Sequence, residues 1–356
     1  MDINEVLRQA VEMSASDVHI KVGLPPVIRR FGALIPLRDR EKLTNDDISS
    51  MAYSIMNQYQ QAKFETTNEI DLAHSLSGVA RFRVNCFRQR GSFGMVFRVV
   101  PTDPPNLEDL DLPEVLKKIA MERKGLILVT GTTGSGKSTT MAAMVNHINT
   151  MRNCHVITIE DPIEFLHRDR KSIINQREVG SDTNSFAMAL RAALRQDPDV
   201  ILVGEMRDLE TTSIALTAAE TGHLVLATLH TNDSVQTVDR IIDQFPPHQQ
   251  QQIRVQFSGV LLGIVSQSLL QRADGAGRVA AIEVMVATPA VRNLIREGKT
   301  HQLYSVLQTG SRFGMQSRDS HLKELAQMGT ITWEDALTYA TDPEELRRLS
   351  QQSVKL

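Results

Sequence analysis

Residues 131 to 138 read Gly131-Thr132-Thr133-Gly134-Ser135-Gly136-Lys137-Ser138, the GxxxxGK[ST] spacing of a P-loop. Glycines leave the backbone N–H groups of a turn uncovered, and a helix starting there adds the positive end of its dipole, so a polyphosphate can lie in the cradle. Lys137 is placed for the β and γ phosphates and Ser138 for a magnesium ion. The candidate nucleotide-binding residues are therefore Gly131, Thr132, Thr133, Gly134, Ser135, Gly136, Lys137, Ser138 and Thr139. The flanks agree: Leu126-Ile127-Leu128-Val129 reads as a buried strand, and Thr139-Thr140-Met141-Ala142-Ala143-Met144 suits a helix. A chance match in a surface loop would lack both flanks.

Two more apolar runs end in carboxylates. His155-Val156-Ile157-Thr158-Ile159 leads into Glu160-Asp161-Pro162-Ile163-Glu164, and Asp199-Val200-Ile201-Leu202-Val203-Gly204 leads into Glu205. In open α/β sheets the carboxyl ends of strands gather at the ligand edge. Glu205 is the candidate for the Mg²⁺ shell, partly through water, with Ser138 as the other metal residue. Glu164, in a turn fixed by Pro162, is the candidate base that orients water. Acids after strands also serve as helix caps or solvated turn residues; two such clusters downstream of a phosphate cradle favour the metal and water roles. His230 ends the run His223-Leu224-Val225-Leu226-Ala227-Thr228-Leu229 on the same edge, where it is a candidate sensor of the γ-phosphate or its water. His223, at the opposite end, reads as structural unless a neighbouring subunit reaches it.

The elements that must position these groups fall into two sets. Before residue 100 the pattern is α+β: a helix over 3–11, short strands at 18–22 and 27–31, a helical stretch over 44–64, and a hairpin of 79–88 and 93–100. Alternation puts Ala80, Phe82, Val84 and Cys86 on one face and Arg81, Arg83 and Asn85 on the other, with Arg98 on the polar face of the second strand. Pro101, Pro104 and Pro105 then block both helix and ladder. Beyond them, strands at 126–130, 155–159, 199–204 and 224–229 alternate with helices at 137–150, 183–196 and 208–221, the pattern of a covered parallel sheet. After about 232 helical patterns dominate, apart from 278–285. The expected organisation is a domain at 1–100, a linker at 101–113, and an ATPase domain at 114–356 whose region from about 286 to 356 is helical.

Composition narrows the function. The chain has 356 residues, room for two cores, and its 39 basic and 42 acidic residues leave a net charge of −3. With only 4% aromatic residues this disfavours a nucleic-acid partner. Cys86 and Cys154 suggest neither a disulfide framework nor a zinc site. No apolar run approaches the roughly 20 residues of a transmembrane span, so no transmembrane segment is expected, and the chain reads as cytoplasmic.

GTTGSGKS at 131–138, TIEDPIEF at 158–165, DPDVILVGEMRD at 197–208 and GHLVLATLHT at 222–231 resemble, in order and spacing, the Walker A, Asp box, Walker B and His box motifs of the secretion and type IV pilus ATPases. Ser16-Asp17-Val18-His19 and Gly78-Val79-Ala80-Arg81-Phe82-Arg83-Val84-Asn85 are similar to the family's amino-terminal domain. The segment Ala290-Val291-Arg292-Asn293-Leu294-Ile295-Arg296-Glu297 is similar to the AIRNLIRE signature of the retraction branch, with Val291 for isoleucine. The resemblance implies an α/β protein, with an N-terminal PAS-like α+β domain followed by a RecA-like P-loop ATPase domain with a helical C-terminal region. It also implies a homohexamer that hydrolyses ATP with Mg²⁺, nucleotides held between subunits and domains, and domain rotation that drives pilus retraction and twitching motility. The implied partners are an inner-membrane platform protein of the PilC kind and an accessory paralogue of the PilU kind, with the ring peripheral at the inner face of the cytoplasmic membrane. By the same resemblance Glu164 matches the general base, Glu205 the Walker B glutamate, and Arg83 and Arg98 the amino-domain arginines that approach the phosphates; Arg81 and Arg207 are weaker candidates.

Other readings stay open at this point. The accessory retraction paralogue shares the nucleotide motifs. Assembly and type II secretion motors commonly carry a four-cysteine zinc module that two cysteines cannot build. A small-molecule kinase also needs a P-loop and acids, but has no use for the front domain.

Overall fold

A computed structural model describes residues 1–102, 104–275, 277–344 and 346–347. The chain divides into two compact units, Met1–Asp103 with Pro162–Arg168, and Pro104–Asp161 with Asp169–Leu356. Position 103 of the expected linker, and 345 and 348–356 of the expected helical region, lie outside the described residues.

In the first unit, α1 (Ile3–Glu12) precedes the strands β1 (Asp17–Lys21), β2 (Val27–Arg30) and β3 (Ala33–Pro36). Then come α2 (Asn45–Ser54), α3 (Gln58–Thr67), β4 (Glu69–Leu76), β5 (Ala80–Gln89) and β6 (Ser92–Val100). The six strands form one antiparallel sheet in the order β3-β2-β1-β6-β5-β4. Phe82, Val84, Cys86, Met95 and Phe97 point into a core shared with Ile3, Leu7 and Ile48, while Arg83 and Arg98 are exposed, as period-2 alternation requires. The helical stretch expected over 44–64 is two helices, because Asn57 and Gln60 form a capping box that restarts the chain. β3 escapes sequence reading because all four of its residues are exposed, which leaves no alternation to detect.

The second unit starts with α4 (Val115–Ala120), β7 (Gly125–Thr130), α5 (Lys137–Met151), β8 (His155–Glu160) and β9 (Ile173–Glu178). It continues with α6 (Phe186–Ala193), β10 (Val200–Val203), α7 (Leu209–Glu220), β11 (Leu224–Leu229), α8 (Ser234–Asp243) and α9 (Pro247–Val260). β12 (Leu261–Gln271) and β13 (Arg278–Val286) lead to α10 (Pro289–Arg296), α11 (Leu303–Thr309), α12 (Arg318–Gln327) and α13 (Trp333–Tyr339). The sheet order is β13-β12-β7-β11-β10-β8-β9, parallel throughout except for the β12–β13 pair. Leu126, Leu128, Ile201 and Val203 pack on one face with α6 to α10, and Ile127, Val129, Val200 and Leu202 on the other with α4 and α5. Strands buried on both faces read as unbroken apolar runs.

The thinning of strands expected after 232 is overturned by β12, eleven residues long and paired with β7. Its apolar run follows the continuous helix α9 directly and is interrupted by Ser266, Gln267 and Ser268, so its period does not separate strand from helix.

Candidate nucleotide site

The cradle hangs between β7, whose six residues are all buried, and α5. Gly131, Gly134 and Gly136 hold φ values of 142°, 80° and 89°, conformations that side-chain-bearing residues resist. Space adds a second demand at Gly131, where a Cβ would stand 2.3 Å from Gln267 O. Gln267 of β12 also donates through Nε2 to Ser135 O at 2.7 Å, so the strand next to β7 braces the loop. No side chain caps the first turn of α5, so its leading N–H groups are free of side-chain acceptors, as an anion site at a helix start requires. Lys137 is buried and donates through Nζ to Gly131 O and Thr132 O, both at 2.9 Å. Ser138 and Thr139 follow in the same turn, half-buried.

β10 lies one strand away from β7, with β11 between them, so Glu205 and His230 leave the sheet on the cradle's edge. Gly204 N donates to Ile159 O at 2.7 Å and Thr228 Oγ1 to Gly204 O at 2.5 Å, which fixes the peptide carrying Glu205. The Glu205 Oε1 atom lies 2.5 Å from Arg207 Nε and 3.0 Å from His230 Nε2. Burial pushes its pKa up, but hydrogen bonds from Arg207 and His230, with their charges, hold it below the usual carboxylate range. Arg207, a weaker sequence candidate, is thus in direct contact with Glu205. His223 bonds Ala218 O through Nδ1 at 2.9 Å. Glu160 accepts from Thr158 Oγ1 at 2.6 Å and is fixed as part of the strand end.

The first unit carries the other candidates. Arg29, Asp17, Arg98 and Arg83 stand in one cross-strand row over β2, β1, β6 and β5. Asp17 is buried, accepts from Arg98 Nε at 2.9 Å and lies 3.9 Å from Arg29 Nε. Burial raises its pKa, but the Arg98 and Ser16 hydrogen bonds bring it below the ordinary value. The row carries three guanidinium groups and one carboxylate, of which Arg98 and Arg29 lie against Asp17, so it has spare positive charge. Glu164 is exposed on the non-helical segment Pro162–Arg168, held to the end of β6 by Leu166 N donating to Pro101 O at 2.9 Å. The arginines and Glu164 therefore belong to the first unit, and the cradle, Glu205 and His230 to the second.

In the carboxy-terminal signature, Val291 and Ile295 of α10 are buried and Arg296 is exposed. Arg292 fastens the helix by donating to Ala287 O at 3.0 Å and to Ser258 O and Gly259 O at 2.6 Å. Sequence reading missed Asp17 as the partner of Arg98 and Gln267 as the brace of the cradle. Their partners lie far off in the chain, so no local spacing signals them.

A phosphate cradle on a doubly covered parallel sheet, with an ionised carboxylate and a histidine on the same strand edge, defines a P-loop ATPase. A model of the type II/IV secretion system protein family matches residues 1–338, and the chain belongs to that family. It is 49% identical over 97% of its length to the type IV pilus retraction ATPase PilT of Pseudomonas aeruginosa, covering 99% of that protein. It is 43% identical to the type IV pilus ATPase PilU of the same organism, over 98% of this chain and 91% of that one. A crystal structure of the pilus retraction motor PilT with bound ADP superposes with a TM-score of 0.89 at 49% identity, covering 98% of this chain and 99% of the other. The ATPase DotB of Legionella pneumophila superposes with 0.82 at 29% identity, covering 94% and 93%.

Proposed function

We propose that this chain is the ATP-hydrolysing motor of type IV pilus retraction and hence of twitching motility. The observation that carries the reading is the likeness to the Pseudomonas retraction ATPase across nearly the whole of both chains. The reading takes the first unit as PAS-like, supported by its single antiparallel sheet, and the second as RecA-like, supported by its parallel one. The cradle 131–139 holds the phosphates. Ser138 and Glu205 offer the hard oxygen donors that suit Mg²⁺, which when bound neutralises charge on the β and γ phosphates. Lys137 adds charge to the same oxygens, and Arg83 and Arg98 bring the spare positive charge of their row to the γ-phosphate. Glu164 takes the proton of the attacking water as its oxygen bonds to the γ-phosphorus and the bond to the bridging oxygen breaks. His230, through its contact with Glu205, registers the phosphate's departure.

The working form is a homohexamer docked on an inner-membrane platform protein of the PilC kind, at the cytoplasmic face. No described helix is long and apolar enough to cross a membrane. The PilU relative supports a second reading, an accessory retraction motor, distinguished by whether the chain restores retraction alone.

The test is phosphate release from purified wild type and Glu164→Gln in ATP and Mg²⁺, with molar mass by light scattering. The proposal expects a mass of six chains and turnover about a hundredfold lower or more in the variant. A monomer with undiminished turnover would remove the ring and the base together.

A further inference from the structure

The β2–β3 hairpin, at one edge of the first unit's sheet, carries side chains that the core does not use. Its strands pair from Val27 with Pro36 to Arg30 with Ala33, which leaves Phe31 and Gly32 as a two-residue turn with φ values of 47° and 81°. Turns of this kind take Asn or Asp before the glycine, because short polar side chains tolerate the left-handed backbone and bulky ones resist it. Phe31 is nevertheless 89% exposed, more than any other large apolar side chain among the described residues. A strained backbone that holds an aromatic ring in water adds nothing to the core, and points to work at the surface.

The rest of the tip has the same character. Leu34 and Ile35 follow each other in β3 and so stand on opposite faces of the pleat, yet they are 53% and 38% exposed. From Phe31 to Ile35 the hairpin therefore shows apolar groups on both faces over about 10 Å. A flat protein face covers one side of a strand, whereas a bilayer interface closes around a wedge from all sides, and interfacial segments sit roughly 5–10 Å deep.

Charge favours the same partner. Between Asp17 and Asp39 the chain has Lys21, Arg29, Arg30 and Arg38 and no acid, although its net charge is −3. The Arg30 guanidinium lies 5.1 Å from the centre of the Phe31 ring, and Arg29 donates through Nη1 to Gly32 O at 2.8 Å, so both cations are drawn to the tip. Arg38 is exposed two residues beyond β3. Long arginine side chains lay their stems along apolar groups and keep the charge at the level of anionic headgroups.

We propose that this tip is a membrane-contact site, inserting Phe31, Leu34 and Ile35 into the interface of a bilayer that contains anionic lipid, with Arg30 and Arg38 on the lipid phosphates. The site uses no residue of the nucleotide cradle. It goes beyond the retraction reading, which names a platform protein and not the bilayer itself.

The test is co-sedimentation of the full chain with vesicles of phosphatidylcholine alone and of phosphatidylcholine mixed with phosphatidylglycerol, for wild type, Phe31→Asn and Arg38→Gln. Molar mass by light scattering and ATP hydrolysis are measured beside it without vesicles. Asparagine suits the turn, so Phe31→Asn keeps the fold. Wild type partitions onto the mixed vesicles and not onto the neutral ones, and rising salt weakens it. Loss of the ring lowers that partition roughly tenfold, and loss of the Arg38 charge lowers it about fivefold. Molar mass and hydrolysis stay at the wild-type values in both variants. Wild type that ignores the mixed vesicles, or binds them no better than the neutral ones, would overturn the site, as would equal partition of wild type and Phe31→Asn. A lower molar mass in Phe31→Asn would put the tip between copies of the chain and overturn it too. Absence of hydrolysis in wild type would fail the nucleotide reading alone.

Discussion

A strand-end carboxylate serves a cation only while ionised, and Glu205 is held ionised by neighbours that outweigh its partial burial. Its placement was legible in the sequence, because an acid directly after a buried run has one strand edge on which to stand. The Asp17–Arg98 clamp was not legible, since cross-strand register brings together residues from β1 and β6 that no spacing rule connects. His167, on the segment that carries Glu164, behaves in the opposite sense to Glu205: burial pushes its pKa down to about 4. The unfolded chain takes a proton on this ring near pH 6.5, where the folded protein does not. Stability from this group is therefore complete above pH 6.5 and declines as the pH falls from there toward 4. Thermal melts across this range should show a fall in Tm that is shallower in His167→Gln, and equal slopes in the two proteins would contradict a neutral, buried ring.

At the scale of elements, β7, the cradle and α5 form the part most fully dictated by local sequence: an apolar run, three glycines and a helix start. The glycines nevertheless carry different burdens. Gly131 combines a φ of 142° with a Cβ position 2.3 Å from Gln267 O, whereas Gly134, at 80°, faces open space. Gly131→Ala should cost about 2–4 kcal/mol and disturb the loop, while Gly134→Ala should cost only the left-handed backbone penalty of about 1–2 kcal/mol. Chemical denaturation of the two variants, read beside wild type, checks the order, and a larger loss at Gly134 would contradict it. What no local reading supplied was β12, which braces the cradle through Gln267. A strand placed directly after a helix has no turn residues to announce it, and its identity is settled by pairing with β7. The break between α2 and α3 was readable in principle, from the Asn57 and Gln60 spacing of a capping box.

At the scale of the whole molecule, a parallel sheet and a phosphate cradle define a P-loop nucleotide site and do not choose its task. The task comes from the likeness to pilus retraction ATPases that runs the length of the chain. Within the chain, residues proposed for hydrolysis come from both units: Glu164, Arg83 and Arg98 from the first, and the cradle, Glu205 and His230 from the second. That division is why the Asp box motif alone could not say which unit its glutamate belongs to. The most direct measurement is live imaging of labelled pili in the native host, with the chromosomal copy replaced by wild type, Lys137→Ala or Glu164→Gln. The account predicts that wild type retracts its pili and spreads by twitching, while both variants assemble pili that stay extended. Retraction at the parental rate in the two variants would contradict it.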